Sequence, residues 1–303
     1  MHGSLVSSSA LLAGLATLGP VSCAYFAAGS ILAIGSIVIV LRGDWQKARG
    51  LDKLILLGPL FFAAPIAAFG TEHFTVTAAI EPIIPEWIPW HRFWIYFVGA
   101  CLIAAALSVA TKVQTRLASI LLGVMFFLFV ALMHAPAWAR EPGNRFILAI
   151  VLREIAFSGG ALALAGSLTD PRRKRTAQGL KTVARYFIAI PVLFFAFEQF
   201  MHGGDVPAVP LDRRTPDYVY GHAVWTYLAA AVYAVAGTLL VAGRKTRAAA
   251  TWLGVCVLLI EVVVYVPIGI VERSSLGNGL NYVADTLMFG GAVLLLAGAE
   301  RQS

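Results

Sequence analysis

Nine apolar runs of about twenty residues each set the limits on what this chain can fold into. They lie at 21–41, 54–72, 92–111, 117–137, 146–168, 183–202, 222–242, 248–270 and 279–299. Each is long enough to cross the roughly 30 Å hydrocarbon layer as a helix, and lipid admits only helices or closed barrels because every backbone group must be bonded internally. The 303 residues are 59% hydrophobic and 13% charged, whereas a soluble domain carries about 25% charged residues. The expected class is therefore an all-α, polytopic membrane protein of nine spans, with the lipid bilayer as its surroundings.

Charge then orients the chain. Arg42, Lys47, Arg49 and Lys53 follow the first run, Lys112 and Arg116 fill a later turn, and Arg172 to Arg175, Lys181 and Arg185 fill the centre. Arg244, Lys245 and Arg247 form another turn, and Arg301 stands in the tail. With nine spans all of these fall on one side, which the positive-inside rule makes cytoplasmic. The expected location is the cytoplasmic (inner) membrane, with the histidine- and tryptophan-rich loops outside. The net charge of +7 thus belongs to loops and is no nucleic-acid footprint. Cys23, Cys101 and Cys256 are isolated and no CxxC occurs, which excludes paired-thiol exchange chemistry. Residues 4–18 are apolar but short, and no Lys or Arg precedes Arg42. That speaks against a cleaved signal, and an additional short span broken from the next by Gly19-Pro20 is open; either choice leaves the later topology unchanged.

The chain also says nearly the same thing twice. Pro85-Glu86-Trp87, His91 and Trp94-Ile95-Tyr96 recur as Pro216-Asp217-Tyr218, His222 and Trp225-Thr226-Tyr227, at a constant offset of 131 residues. Thr115-Arg116 matches Thr246-Arg247, Pro136 matches Pro267, Glu154 matches Asp285, and Gly159-Gly160-Ala161 matches Gly290-Gly291-Ala292. Rare residue types at one offset indicate tandem duplication. The organisation expected is an N-terminal segment with one accessory helix (1–50), a four-helix repeat (51–168), a basic cytoplasmic linker (169–182) and a second four-helix repeat (183–303). Four spans return the chain to its starting side, so the two bundles have the same orientation. The paired glycines suit close helix packing.

Ionisable groups inside hydrocarbon are costly and mark cavities or sites. Arg153, Glu154, Glu261 and Asp285 qualify, each on the order of 10–13 Å in from the outer ends of their helices. Glu154 and Asp285 are equivalents. Arg153 stands where the second half has Ala284, and Glu261 where the first has Val130. On this reading Arg153 neutralises Glu154, while Glu261 and Asp285 form a poised carboxylate pair able to share a proton. Glu198 and His202 share a helix face at i, i+4. His222 and its equivalent His91 open matching helices, where a helix-orienting turn explains them equally well. His73, with Glu72 and His134, lies near the same surface. Tying helix ends together, relaying protons and holding a small polar ligand all remain open for this set. Glu198, His202, Glu261 and Asp285 have metal-ligand chemistry, but no motif fixes their geometry, so neither metal nor haem is expected.

Phe194-Phe195-Ala196-Phe197-Glu198-Gln199-Phe200 ahead of His202, then Val209-Pro210-Leu211, Pro216-Asp217-Tyr218, His222 and Trp225-Thr226-Tyr227, resemble the DoxX-like family of small four-helix membrane proteins. Tyr265-Val266-Pro267 and Leu280 to Asp285 extend the likeness, and the first half resembles the family more loosely. The resemblance implies a quinone- or redox-associated membrane component, partnered by a redox enzyme subunit, without assigning catalytic residues. The site expected is a small polar or quinone-head pocket in the outer half of the second bundle. A proton-coupled small-solute transporter and a structural scaffold subunit are the alternatives.

Overall fold

The computed structural model describes residues 19–209 and 213–300, so the short apolar stretch at 4–18 lies outside the described residues. Among these, nine helices are long and apolar enough to cross a membrane. They are α1 (Pro20–Leu41), α2 (Asp52–Thr75), α3 (His91–Thr111), α4 (Thr115–Arg140), α5 (Arg145–Ser167), α6 (Lys174–Met201), α7 (His222–Val241), α8 (Thr246–Val271) and α9 (Leu276–Ala299). The protein is an all-α, multi-pass membrane protein. Most helix ends fall within a few residues of the apolar runs. The exception is α6, which absorbs the basic stretch from Lys174 onward, because no proline lies between Lys174 and Arg185 and exposed Lys and Arg are good helix formers.

Helices α2, α5, α6 and α9 form the middle of the assembly. Within the first half α2 packs on α3, α3 on α4 and α4 on α5; within the second, α6 packs on α7, α7 on α8 and α8 on α9. The contacts also cross between halves: α2 lies along α9, α6 lies along α5, and α5 meets α9. Each half thus closes its set with the last helix of the other. Helix α9 carries the consequence, with 83% of its central window buried against 22% for the accessory α1.

Small residues make these crossings tight. A Cβ added at Gly291 would come within 2.5 Å of the Phe62 backbone nitrogen, and one at Gly160 within 2.5 Å of Ala292 Cβ. Without a hydrophobic drive between helices in lipid, such close approach supplies the packing.

Two further features recur at the 131-residue offset. Left-handed backbone occurs at Trp90 and Gly221, at Lys112 and Gly243, and at Gln114 and Lys245. Helices α4 and α8 each contain one π-helical turn, Val130–His134 and Glu261–Tyr265, followed by Pro136 and Pro267. Such turns insert a residue into the helix and frequently mark functional sites.

Polar contacts tie the helix ends. At the basic end Lys112 Nζ meets Asp44 Oδ2 at 2.6 Å, Arg247 meets Asp52 at 2.5 Å, and Arg116 bonds Thr169 at 3.2 Å. The Lys112 hydrogen bond holds the Asp44 carboxyl below its ordinary range. At the far end Arg213 pairs with Glu272 and lies over the Tyr282 ring. Burial pushes the Arg213 guanidinium down, but Glu272 and Tyr282 together outweigh this and the net direction is upward.

Candidate functional site

Ionisable residues buried in the far half pair across the helices. Arg153 of α5 donates from Nη1 to Asp285 Oδ2 of α9, with side chains 13% and 9% exposed. Arg153 Nη2 lies 3.8 Å from Glu154 Oε1. Glu72 of α2 accepts a bond from the Asn281 side-chain nitrogen at 2.7 Å, in the amide orientation that faces donor to acceptor. Asp285 is close enough to act electrostatically on Glu72, Glu154 and Glu261, while His134 at the end of the α4 π turn feels Arg153. Tyr265, its equivalent in α8, feels both Glu261 and Asp285. Two carboxyl groups, of Asp285 and Glu154, therefore share the Arg153 guanidinium.

Local sequence explains the convergence. Arg153 lies eight residues into α5 and Asp285 nine into α9, roughly 12–13 Å from their helix starts. Both helices run from the far end, so equal depth brings the two side chains level where the helices meet. Glu261 opens the α8 π turn and is buried beside Val264 and Tyr265.

This arrangement corrects the expected division of charge. Arg153 does reach Glu154 at 3.8 Å within its own half, but its closer bond goes to Asp285 in the other. The cation expected to serve the first half is thus bonded to the second-half carboxylate Asp285. A sequence offset reveals equivalence of position but not which helices meet.

Several side chains remain buried with an unpaired atom. Arg153 Nε, Glu154 Oε2 and Glu261 Oε2 have no hydrogen-bond partner among the described residues. Glu261 as a whole is 5% exposed. Unpartnered acceptors in a low-dielectric interior are costly and identify places where function takes precedence over stability.

The other residues singled out from the sequence go elsewhere. Glu198 and His202 do share a face, with the carboxylate 3.7 Å from His202 Nδ1, but Arg145 at the start of α5 takes Glu198 at 2.7 Å and Asp205 at 3.3 Å. This constellation sits about 12 Å along α5 from Arg153. It fastens the stretch after α6, where Gln199 Oε1 accepts from Ala208 N at 2.9 Å and Thr226 donates to Asp205 O at 3.1 Å. His73 Nδ1–H donates to Phe69 O on its own helix at 2.7 Å, and His91 Nε2–H to Pro85 O in the turn before α3 at 3.2 Å. His222 keeps Nδ1 buried without a partner. Among the described residues no group of three or more His, Cys, Asp or Glu is arranged to hold a metal ion. Glu72, grouped with His73 and His134 by surface alone, bonds Asn281, and Tyr265 is the equivalent of His134; neither Asn281 nor Tyr265 was a site candidate.

The same three helices open at their other end. Asp52, Pro59, Leu164, Ser167, Leu295 and Gly298 line a cleft of about 330 Å³ between α2, α5 and α9. A neighbouring groove of about 550 Å³ on the other side of Asp52 is walled by Arg247, Thr251 and Trp252. Between the cleft and the far-end carboxylates lies the seam of Phe62, Gly160, Gly291 and Ala292. Gly291 stands six residues beyond Asp285 and seven before Gly298, so each step is roughly 10 Å.

A family model described as "Domain of unknown function (DUF8561)" matches residues 62–153. That match runs from the glycine-seam phenylalanine to the site arginine and takes in Glu72, His73, His91 and His134. No curated protein and no solved structure matches the chain.

Proposed function

We propose that the protein is a proton-coupled transporter of a small solute, built by tandem duplication of a DoxX-like four-span unit and seated in the cytoplasmic membrane with its basic loops inside. One observation carries this reading: the buried carboxylates and the basic-end cleft occupy opposite ends of one three-helix interface, parted by a tightly packed glycine seam. A site and a cleft placed in this way need only a small relative movement of α5 and α9 to exchange access. Arg153 holds Asp285 in place. Each proton taken up by Glu72, Glu154, Glu261 or Asp285 removes a negative charge that the single guanidinium leaves unbalanced, so proton binding and the Arg153–Asp285 contact are linked. Carboxyls that bind protons in the far half and a packed seam that shifts with charge are the parts such coupling requires.

The redox-associated reading keeps one observation in its favour, the stacked Tyr265 and Tyr282 rings, 6.2 Å between centroids, beside Glu261 and Asp285. A quinone ring could stack there. One experiment separates the two. Protein reconstituted in vesicles loaded with a pH-sensitive dye is challenged with gradients of small acids, amines, amino acids and sugars, and the purified protein is examined by mass spectrometry. Solute-driven proton movement that disappears in Asp285→Asn supports transport. Quinone retained through purification, with no proton movement from any solute class, supports the redox reading and overturns transport.

A further inference from the structure

We infer that residues 204–209 form a plug closing the far side of the second half over Glu261 and Asp285, and that access to these carboxyls from the far side requires its withdrawal. The inference rests on the transport reading above and adds how its site is gated.

Depth fixes the layering. Helix α8 runs toward the far end and α9 away from it. Tyr265 therefore lies about one turn farther out than Glu261, and Tyr282 about one turn farther out than Asp285. The two rings stack across the helices with 6.2 Å between centroids, so an aromatic layer lies on the far side of both carboxyls.

Residues 204–209 cover that layer. Val206, Ala208 and Val209 are fully buried although they belong to a connection between helices. Tyr265 Oη donates to Pro207 O and, at 3.4 Å, to Val209 O. Gln199 Oε1 of α6 accepts from Ala208 N at 2.9 Å. The base of the stretch is anchored separately, by Arg145 and Thr226 at Asp205. The first half builds nothing similar among the described residues. There the 131-residue offset puts Ala68 in place of Gln199 and His134 in place of Tyr265, and residues 73–78 finish α2 and open a short helix at Thr77.

Backbone strain argues that the plug moves. Ala208 adopts φ 73°, in the left-handed region that disfavours any residue with a Cβ. Such conformations persist only where their surroundings impose them, and they gather at clamps and switches. Here the imposing contacts are the side-chain bonds of Gln199 and Tyr265, and their loss lets Ala208 relax.

The test uses the full-length protein in vesicles, with Cys23, Cys101 and Cys256 replaced and Thr286→Cys as reporter. Thr286 is fully buried and lies one turn inward of Tyr282 on the same face of α9. A small membrane-impermeant methanethiosulfonate is added from the far side and its labelling rate is measured. Gln199→Leu removes the acceptor for Ala208 N and should raise the rate several-fold. Ala208→Gly relieves the strained backbone while keeping that bond, and should lower the rate several-fold. General destabilisation would not slow labelling, so the second variant decides even where the first folds poorly. Rates indifferent to Ala208→Gly, or labelling from the basic side alone, would overturn the plug. Opposite shifts in the two variants, with no proton movement from any solute class, would leave the plug standing and overturn transport.

Discussion

Arg153 and Asp285, 132 residues apart in sequence, form a buried ion pair that joins the last helix of one half to the last helix of the other. Neither residue would be tolerated alone at that depth. Together with the glycine seam below them, they make the two halves a single functional unit.

The pair has a measurable signature. Removing one partner leaves an uncompensated buried charge, which costs about 3–5 kcal/mol, whereas replacing both with apolar residues is often neutral. Arg153→Met should therefore lower the unfolding midpoint of the purified protein sharply, and Arg153→Met combined with Asp285→Leu should restore most of it. Additive losses in the double-mutant cycle would mean that the two side chains do not interact.

Seam packing predicts a contrast between glycines. Gly291→Ala forces a methyl to within 2.5 Å of the Phe62 backbone, an overpacking worth about 1–3 kcal/mol. Gly179→Ala, in α6 with no atom within 4 Å of the added carbon, should be stabilising by up to about 1 kcal/mol, the helix-propensity difference. Thermal unfolding of the two variants side by side reads this directly.

At the basic end, Asp44 supplies a pH dependence whose sign follows from its bond to Lys112. Its carboxyl is held below the unfolded value, so the stabilisation is fully present above that value, about 3.9. It is lost as pH falls through the folded value. Both side chains are partly solvated, so the effect lies within roughly 1 kcal/mol. Asp44→Asn should lower the midpoint slightly at neutral pH, and the difference from wild type should close on acidification. A difference that widens in acid would contradict the assignment.

Arg145 holds the post-α6 stretch through Glu198 and Asp205. Arg145→Gln should speed amide exchange at Asp205 and Val206, whose N–H groups bond His202 O and Arg213 O, while leaving exchange in α9 unchanged. Unaltered exchange at Asp205 would show that the carboxylates are secured by other contacts.

The spans could be read from sequence because lipid enforces a length of apolar residues and nothing else in this chain imitates it. Arg153, Glu154, Glu261 and Asp285 were legible for the same reason: ionisable groups inside hydrocarbon stand out. Their pairing was not. The 131-residue offset shows that Glu154 and Asp285 occupy like positions, but not that α5 and α9 meet there, so Arg153 was assigned to the neighbour it has in sequence. Glu72 was placed at the surface because the apolar run ends at residue 72, whereas the helix continues to Thr75 and buries that carboxyl. The π turns leave no compositional mark, since they add a residue without changing which residues favour a helix. Glu198 and His202 kept their expected spacing, yet Arg145, fifty-three residues earlier, determines what they do.

The linkage between the far-end carboxylates and the basic-end cleft is tested most directly by the accessibility of Ser167, which lines that cleft. In a background lacking Cys23, Cys101 and Cys256, a Ser167→Cys variant is labelled with a membrane-impermeant maleimide from the side of the basic loops, at neutral pH and after the far side is acidified. The expected result is a labelling rate that changes with far-side pH and becomes insensitive to it in Asp285→Asn. A rate indifferent to far-side pH in the Asp285 protein would show that the cleft and the carboxylate cluster are not two ends of one mechanism.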